Sequence, residues 1–192
     1  MRNAIRTFAA IVAGSVCIGA QAAWTPLQLA IFAPAQFLPT DWDVCGLRLN
    51  VLYGDNVDLW GLDAGTVAHC SGTATGIQVS GLVNLDAKGA ECLQVAGLVN
   101  VDQGTVAGLQ IAGIANVCAG ADAVYALQVA PINVGGPMGG VQIGVINTAQ
   151  KMNGLQIGVV NHAGKLSGAQ IGVVNINAGG SLVFFPILNV GF

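Results

Sequence analysis

Charge is scarce in this chain. Six Lys and Arg and nine Asp and Glu make up 8% of its 192 residues, about a third of the share in an ordinary soluble domain. Beyond residue 22 only Arg48, Lys88, Lys151 and Lys165 are cationic. Four cations against nine acids give a net charge near −5. That balance excludes nucleic acid as a partner, because phosphate binding needs clustered Lys and Arg. Histidine is limited to His69 and His162, and aromatic residues to 6%. After the first 22 residues no apolar run reaches the ~18 residues of a membrane-spanning helix. No G-x-S-x-G, G-x-x-x-x-G-K-[ST] or G-x-G-x-x-G occurs, so neither a nucleophile elbow nor a phosphate cradle is expected.

The one long apolar run lies at the start. Arg2 and Arg6 precede the run Phe8 to Ile18, and Ala20-Gln21-Ala22 has the small-x-small form of a signal-peptidase site. The pattern predicts a signal peptide over 1–22 and export of a chain beginning at Ala23. Lipidation at Cys17 is the weaker reading, since Val16 is bulky where a small residue is needed. Cys45, Cys70, Cys92 and Cys118 then remain. An even count in an exported chain permits disulfides, but the spacings match no zinc pattern. Cys70 and Cys92 fall at opposite ends of their connecting segments, which makes a bridge between them doubtful.

What the chain has in plenty is one short phrase. Gly140-Val-Gln-Ile-Gly-Val-Ile-Asn147 returns as Gly154-Leu-Gln-Ile-Gly-Val-Val-Asn161 and Gly168-Ala-Gln-Ile-Gly-Val-Val-Asn175, at a step of 14 residues. The Gln markers run Gln78, Gln94, Gln110, Gln128, Gln142, Gln156 and Gln170. The Asn markers run Asn84, Asn100, Asn116, Asn133, Asn147, Asn161, Asn175 and Asn189. The early copies step by 16 to 18 residues and carry one extra residue between Gln and Asn. Gly46-Leu-Arg48 and Gly61-Leu-Asp63 are diverged copies with a charge at the Gln position, and a last copy places Phe184 there. About ten units result. Such a period signals stacked copies of a unit that cannot fold alone.

Polarity alternates within a unit, which predicts strand. Leu155, Ile157 and Val159 share one phase with Asn161 and Ala163, while Gln156, Gly158 and Val160 take the other. Bends are expected near Gly164-Lys165 and at Gly168, where glycine tolerates positive φ. The fold class is therefore all-β: a repeat β-solenoid of small coils, apolar residues inward, Gln, Gly and Val outward. Equivalent strands would stack in parallel about 4.8 Å apart, and the eight Asn residues would form a hydrogen-bonded ladder. Aromatic residues gather before and after the repeats, as end caps would require. The expected organisation is a cap over 23–45 and repeats over 46–192, with a capping unit from about 182. A closed antiparallel outer-membrane barrel is the alternative, given alternating strands and a terminal Phe192; it would imply membrane insertion and a pore or scaffold role.

Gly46-Leu-Arg-Leu-Asn-Val-Leu-Tyr-Gly54, Trp60-Gly-Leu-Asp63, the serial Gly-x-Gln-Ile-Gly-Val-Val-Asn phrases and the closing Phe184-Phe-Pro-Ile-Leu-Asn-Val-Gly-Phe192 together resemble the bacterial, leptospiral-type surface repeat proteins. The resemblance covers nearly all of the chain after residue 22. It implies a surface or exported protein without assigned chemistry, and it carries over no catalytic residue. Ala68, where Asn is expected, and Cys92, at a glycine corner, depart from the pattern.

Few residues invite chemistry. Asp55, Asn56 and Asp58 form the one acidic cluster, a weak calcium candidate without the glycine and terminal Glu of an EF-hand. His69 and His162 lie about seven units, roughly 30 Å, apart and are expected at exposed corners. No cofactor, small-molecule substrate or catalytic set is expected. The reading is a non-catalytic exported surface module for structural or adhesive contact at the cell surface or outer membrane of a Gram-negative-type bacterium, its partner unidentified.

Overall fold

The computed structural model describes residues 23–32, 35–36, 38–118, 120, 122–181 and 183–192. The expected signal peptide over 1–22 lies outside the described residues, as does Phe37. Fourteen strands form one continuous sheet. The first seven are β1 (Trp24–Phe32), β2 (Ala35–Gln36), β3 (Asp43–Asn56), β4 (Leu59–Cys70), β5 (Thr73–Asp86), β6 (Gly89–Ala96) and β7 (Val99–Asp102). They are followed by β8 (Thr105–Ala112), β9 (Ala115–Cys118), β10 (Val124–Val129), β11 (Ile132–Ile143), β12 (Ile146–Ile157), β13 (Val160–Asn177) and β14 (Phe184–Gly191).

Pairing is parallel from β1 through β13, apart from the short β1–β2 hairpin. Like lies over like: Gln142 opposes Gln156, and Asn147 opposes Asn161. Parallel neighbours in register wind a solenoid of about nine turns. The antiparallel membrane barrel is overturned by the same pairing, because a barrel of hairpins needs adjacent strands to reverse.

In the turn from Gly154, the backbone bends at Gly158-Val159 and takes a positive φ of +145° at Gly168. At the expected Gly164-Lys165 bend the strand is continuous, and the inward alternation shifts phase between Ala163 and Leu166. The glycine at the last corner is demanded twice over. Its φ is left-handed, and a Cβ on Gly154 would stand 2.0 Å from the Gly140 carbonyl oxygen one rung away. Cys92 occupies that column between Gly76 and Gly108; in that turn the positive φ sits at Gly89 instead. Ala68 stands in the Asn column beside Asn84, fully buried.

The bend at Gly158-Val159 corrects the expected facing. The alternation does not run through it in one phase. Gln156 before the bend and Asn161 after it both point inward, joined by Ala163 and Leu166, while Leu155, Ile157 and Val159 turn outward. Glycine contributes no side chain at the switch, so the pattern reads as unbroken.

The ends differ from the turns. β1 is already a rung, with Gln28 opposite Arg48, so the coil stack begins inside the segment expected as a cap. At the other end β14 reverses and runs antiparallel to β13, placing Asn189 opposite Gln170. Asn189 therefore does not continue the Asn ladder. Pro186 lies within β14 and brings no N–H to the outer edge, which limits further pairing. Phe184, Phe185 and Phe192 are exposed at this end.

Replacing Gly154 with Ala should lower stability by at least ~1–3 kcal/mol, from the φ penalty before any clash. Gly81→Ala, where a Cβ meets nothing closer than 3.8 Å, should be nearly neutral. Thermal unfolding followed by circular dichroism separates the two.

Candidate functional site

The interior holds the polar chemistry. Every Gln of the phrase is fully buried, and from Gln94 onward each donates from Nε2 to Oε1 of its counterpart one turn earlier. The distances are 3.1 Å for Gln94 to Gln78, 2.6 Å for Gln110 to Gln94 and 2.7 Å for Gln128 to Gln110. The column continues at 2.9 Å for Gln142 to Gln128, 2.7 Å for Gln156 to Gln142 and 2.8 Å for Gln170 to Gln156. The second N–H of Gln156 and of Gln170 reaches a backbone carbonyl, His162 at 3.2 Å and Ile176 at 3.0 Å. Asn189 closes the column by donating to Gln170 Oε1 at 3.3 Å.

The expected Asn ladder is present from Asn84 to Asn175, with the opposite polarity. Each Nδ2 donates forward to the next Oδ1 at 2.8–2.9 Å, through Asn100, Asn116, Asn133, Asn147 and Asn161. Its other N–H meets backbone oxygen, as Asn147 does at Ile157 (2.9 Å) and Asn161 at Ile171 (2.9 Å). A carbonyl only accepts, so these contacts fix which amide atom is nitrogen. Sequence pattern pointed to the Asn column and missed the Gln one; equal periodicity of the two markers was the signal available.

The two remaining interior columns trade volume. Asp86, Asp102, Cys118, Gly135, Ala149 and Ala163 share turns with Ala90, Val106, Val124, Met138, Met152 and Leu166 respectively. Small faces large, which keeps each turn filled. The longer early turns also admit an additional inward residue, Ser80, Ala96 or Ala112, where later turns have Gly144 or Gly158.

Toward the amino-terminal end the Gln column becomes ionic. Arg48 and Asp63, on adjacent rungs, form a fully buried ion pair. Arg48 Nη1 also donates to Asn56 Oδ1 and, at 2.9 Å, to the His69 carbonyl. Burial opposes the guanidinium charge, but the Asp63 carboxylate outweighs it and holds the Arg48 pKa above its ordinary value. Asp86 and Asp102 occupy adjacent rungs of another column. Gln94 Nε2 lies between them, 2.5 Å from Asp86 and 3.0 Å from Asp102, and its two hydrogens are shared among these carboxylates and Gln78 Oε1. Gln78 donates to Asp86 at 3.1 Å and Gln110 to Asp102 at 2.6 Å. Burial, with the neighbouring Asp102 charge, raises the Asp86 pKa well above the usual carboxylate range. Burial likewise pushes Asp102 up to about 6, opposed by amide donors from Gln94 and Gln110.

Cys70, Cys92 and Cys118 are free, buried thiols, so no bridge joins Cys70 to Cys92. Burial and the nearby aspartates push all three above the ordinary thiol range. They remain protonated fillers rather than nucleophiles.

The calcium candidates do not converge. Asp55 faces outward and pairs with His69 Nδ1 at 2.8 Å. Asn56 faces inward and is held by Arg48. Asp58 Oδ1 accepts from the Thr73 amide at 2.7 Å, tying two turns together. Among the described residues no group of three or more His, Cys, Asp or Glu side chains is placed to hold a metal. His69 stacks on Tyr53 with ring centroids 6.2 Å apart and is half-buried rather than at an open corner. His162 stands beside Thr148, several turns away.

The outer surface inverts the expected Gln-faced sheet. Two aliphatic columns run its length, one through Leu27, Leu62, Ile77 and Leu127 and the other through Leu29, Val79, Ile111, Ile143 and Ile171. A third follows the adjoining corner through Leu82, Leu98, Ile114, Val145 and Val159. Lys88, Glu91, Asp122, Lys151 and Lys165 are exposed on the opposite corner, with Asn153 and Ser167. The turn is amphipathic, with its apolar side outward.

No family model matches the chain, and neither a curated protein nor a solved structure matches it.

Gln142→Leu leaves Gln128 Oε1 and one Gln156 N–H unpaired in the interior. At ~1–3 kcal/mol per orphaned group, it should cost ~2–6 kcal/mol in urea unfolding. Ile143→Ser, one residue along but outward, should change stability by less than ~1 kcal/mol.

A second expectation concerns pH. Asp102 binds its proton more tightly folded than unfolded. The stability this contributes is complete below the ordinary carboxylate pKa and is lost as pH rises through about 6. Asp86 acts in the same sense. The unfolding midpoint should therefore fall between pH 4 and 7, and Asp102→Asn should flatten that slope.

Proposed function

We propose that this chain is an exported, non-catalytic repeat protein of a bacterial cell envelope, serving as a structural or adhesive contact module. The observation that carries the reading is the uncharged aliphatic face along the length of the solenoid. Contiguous apolar surface beyond a few hundred Å² marks a place where another surface docks. The ionisable interior supports the same reading. Arg48, Asp63, Asp86, Asp102 and the three thiols are buried and engaged in holding turns together. The basic-apolar-small start of the chain and its resemblance to leptospiral-type surface repeat proteins supply the address.

Expression of the whole chain in a Gram-negative host tests this. The processed product should begin at Ala23, sediment with the envelope and be released by alkaline carbonate. Recovery of an unprocessed chain in the cytoplasm would overturn the reading.

A further inference from the structure

We infer that the apolar face binds a second copy of this chain, forming a two-fold sandwich of solenoids with the polar corners outward. The inference rests on the reading of this face as a contact surface and names its occupant.

The area fits. Ten rungs spaced about 4.8 Å apart give a face roughly 43 Å long. Two aliphatic columns about 7 Å apart and the corner column beside them make the covered surface on the order of 800 Å² per copy. That is the usual contribution of one partner to a stable interface.

The spacing selects the partner. Outward side chains recur at the rung repeat, so the face is a set of regular ridges and grooves. A second copy carries the same ridges at the same spacing, and two such sheets can interdigitate over their whole length, as packed sheets do about 10 Å apart. A partner without that repeat would mesh over only a rung or two. The charges agree. The columns hold no ionisable group, and the exposed Lys88, Glu91, Asp122, Lys151 and Lys165 lie on the far corner, so no charge has to be desolvated when two copies meet on this face.

A lipid surface is the other candidate for an apolar face, and the composition disfavours it. Interfacial binders carry Lys, Arg and Trp around the apolar side. The aliphatic columns contain none of these, and the chain after residue 22 carries nine acids against four cations. Ile111, 38% exposed, stands near the middle of the ten rungs, where a two-fold axis brings it close to its own mate.

Sedimentation equilibrium of the purified exported chain at micromolar concentration is the test, with circular dichroism to verify folding. The wild-type chain should sediment with twice its own mass. Ile111→Lys should weaken association at least 100-fold and leave a folded monomer, while Asn153→Lys on the polar corner should leave the dimer intact. Should Ile111→Lys fail to fold, Ile111→Ser and Ile143→Ser read the same face with smaller perturbation. A wild-type monomer overturns the inference, as does a dimer indifferent to every substitution on this face. A monomer that floats with phosphatidylcholine vesicles overturns it in favour of lipid. None of these outcomes bears on export and processing, which the fractionation decides separately.

Discussion

The structure depends on one interaction: a primary-amide side chain bonding to its own copy one turn away. A buried amide left unpaired costs several kcal/mol, more than a small coil can recover from its few inward side chains. Stacked in register, most of these Gln and Asn side chains spend one N–H on the neighbour and another on a nearby carbonyl, carboxylate or thiol. The interior becomes polar with few groups left unsatisfied: among the described residues the exceptions are the amide of Gln28 in the first rung and Nε of Arg48 beside it. Parallel winding is the geometry that delivers this, since only there does the same residue recur at a fixed distance along the axis. Period, fold and interior chemistry are thus three views of one constraint.

The ionic segment at the amino-terminal end obeys the same rule with different groups. Arg48 and Asp63 replace two adjacent amides by a cation and an anion, which satisfy each other at the same rung spacing. Replacing only one would leave a buried charge without a partner, a strongly destabilising change. Asp86 and Asp102 are a harder case, because two carboxyls share a column. Gln94 donates to both, and the raised proton affinity of the pair relieves the remaining repulsion. The longer turns of this half provide the room that these groups occupy.

Much of the architecture was legible in the repeat. Its step, strand content, parallel stacking, glycine corner and Asn ladder through Asn175 could all be read from spacing. The facing of Gln156 could not. Alternation was followed across Gly158, and a residue without a side chain gives no sign that the chain has turned there. Hydropathy deepened the error, since aliphatic residues belong inside in most folds. The rule reverses only on the strand that carries the repeated amides, which satisfy one another, while Val106, Met138, Met152 and Leu166 still fill another interior column. Asn189 was misplaced for a related reason: a strand that reverses keeps its composition but exchanges its neighbours. The calcium reading of Asp55, Asn56 and Asp58 took closeness in sequence for closeness in space, although adjacent strand residues face opposite sides.

The two amide columns point in opposite senses, Gln N–H groups toward the start of the chain and Asn N–H groups toward its end. Like bar magnets laid side by side in opposite directions, they cancel. A single hydrogen-bonded column accumulates polarity with every added member, and its tips become progressively worse places to stop. Here a duplicated or deleted 14-residue segment would change the length of the rod while leaving its ends electrically as they were.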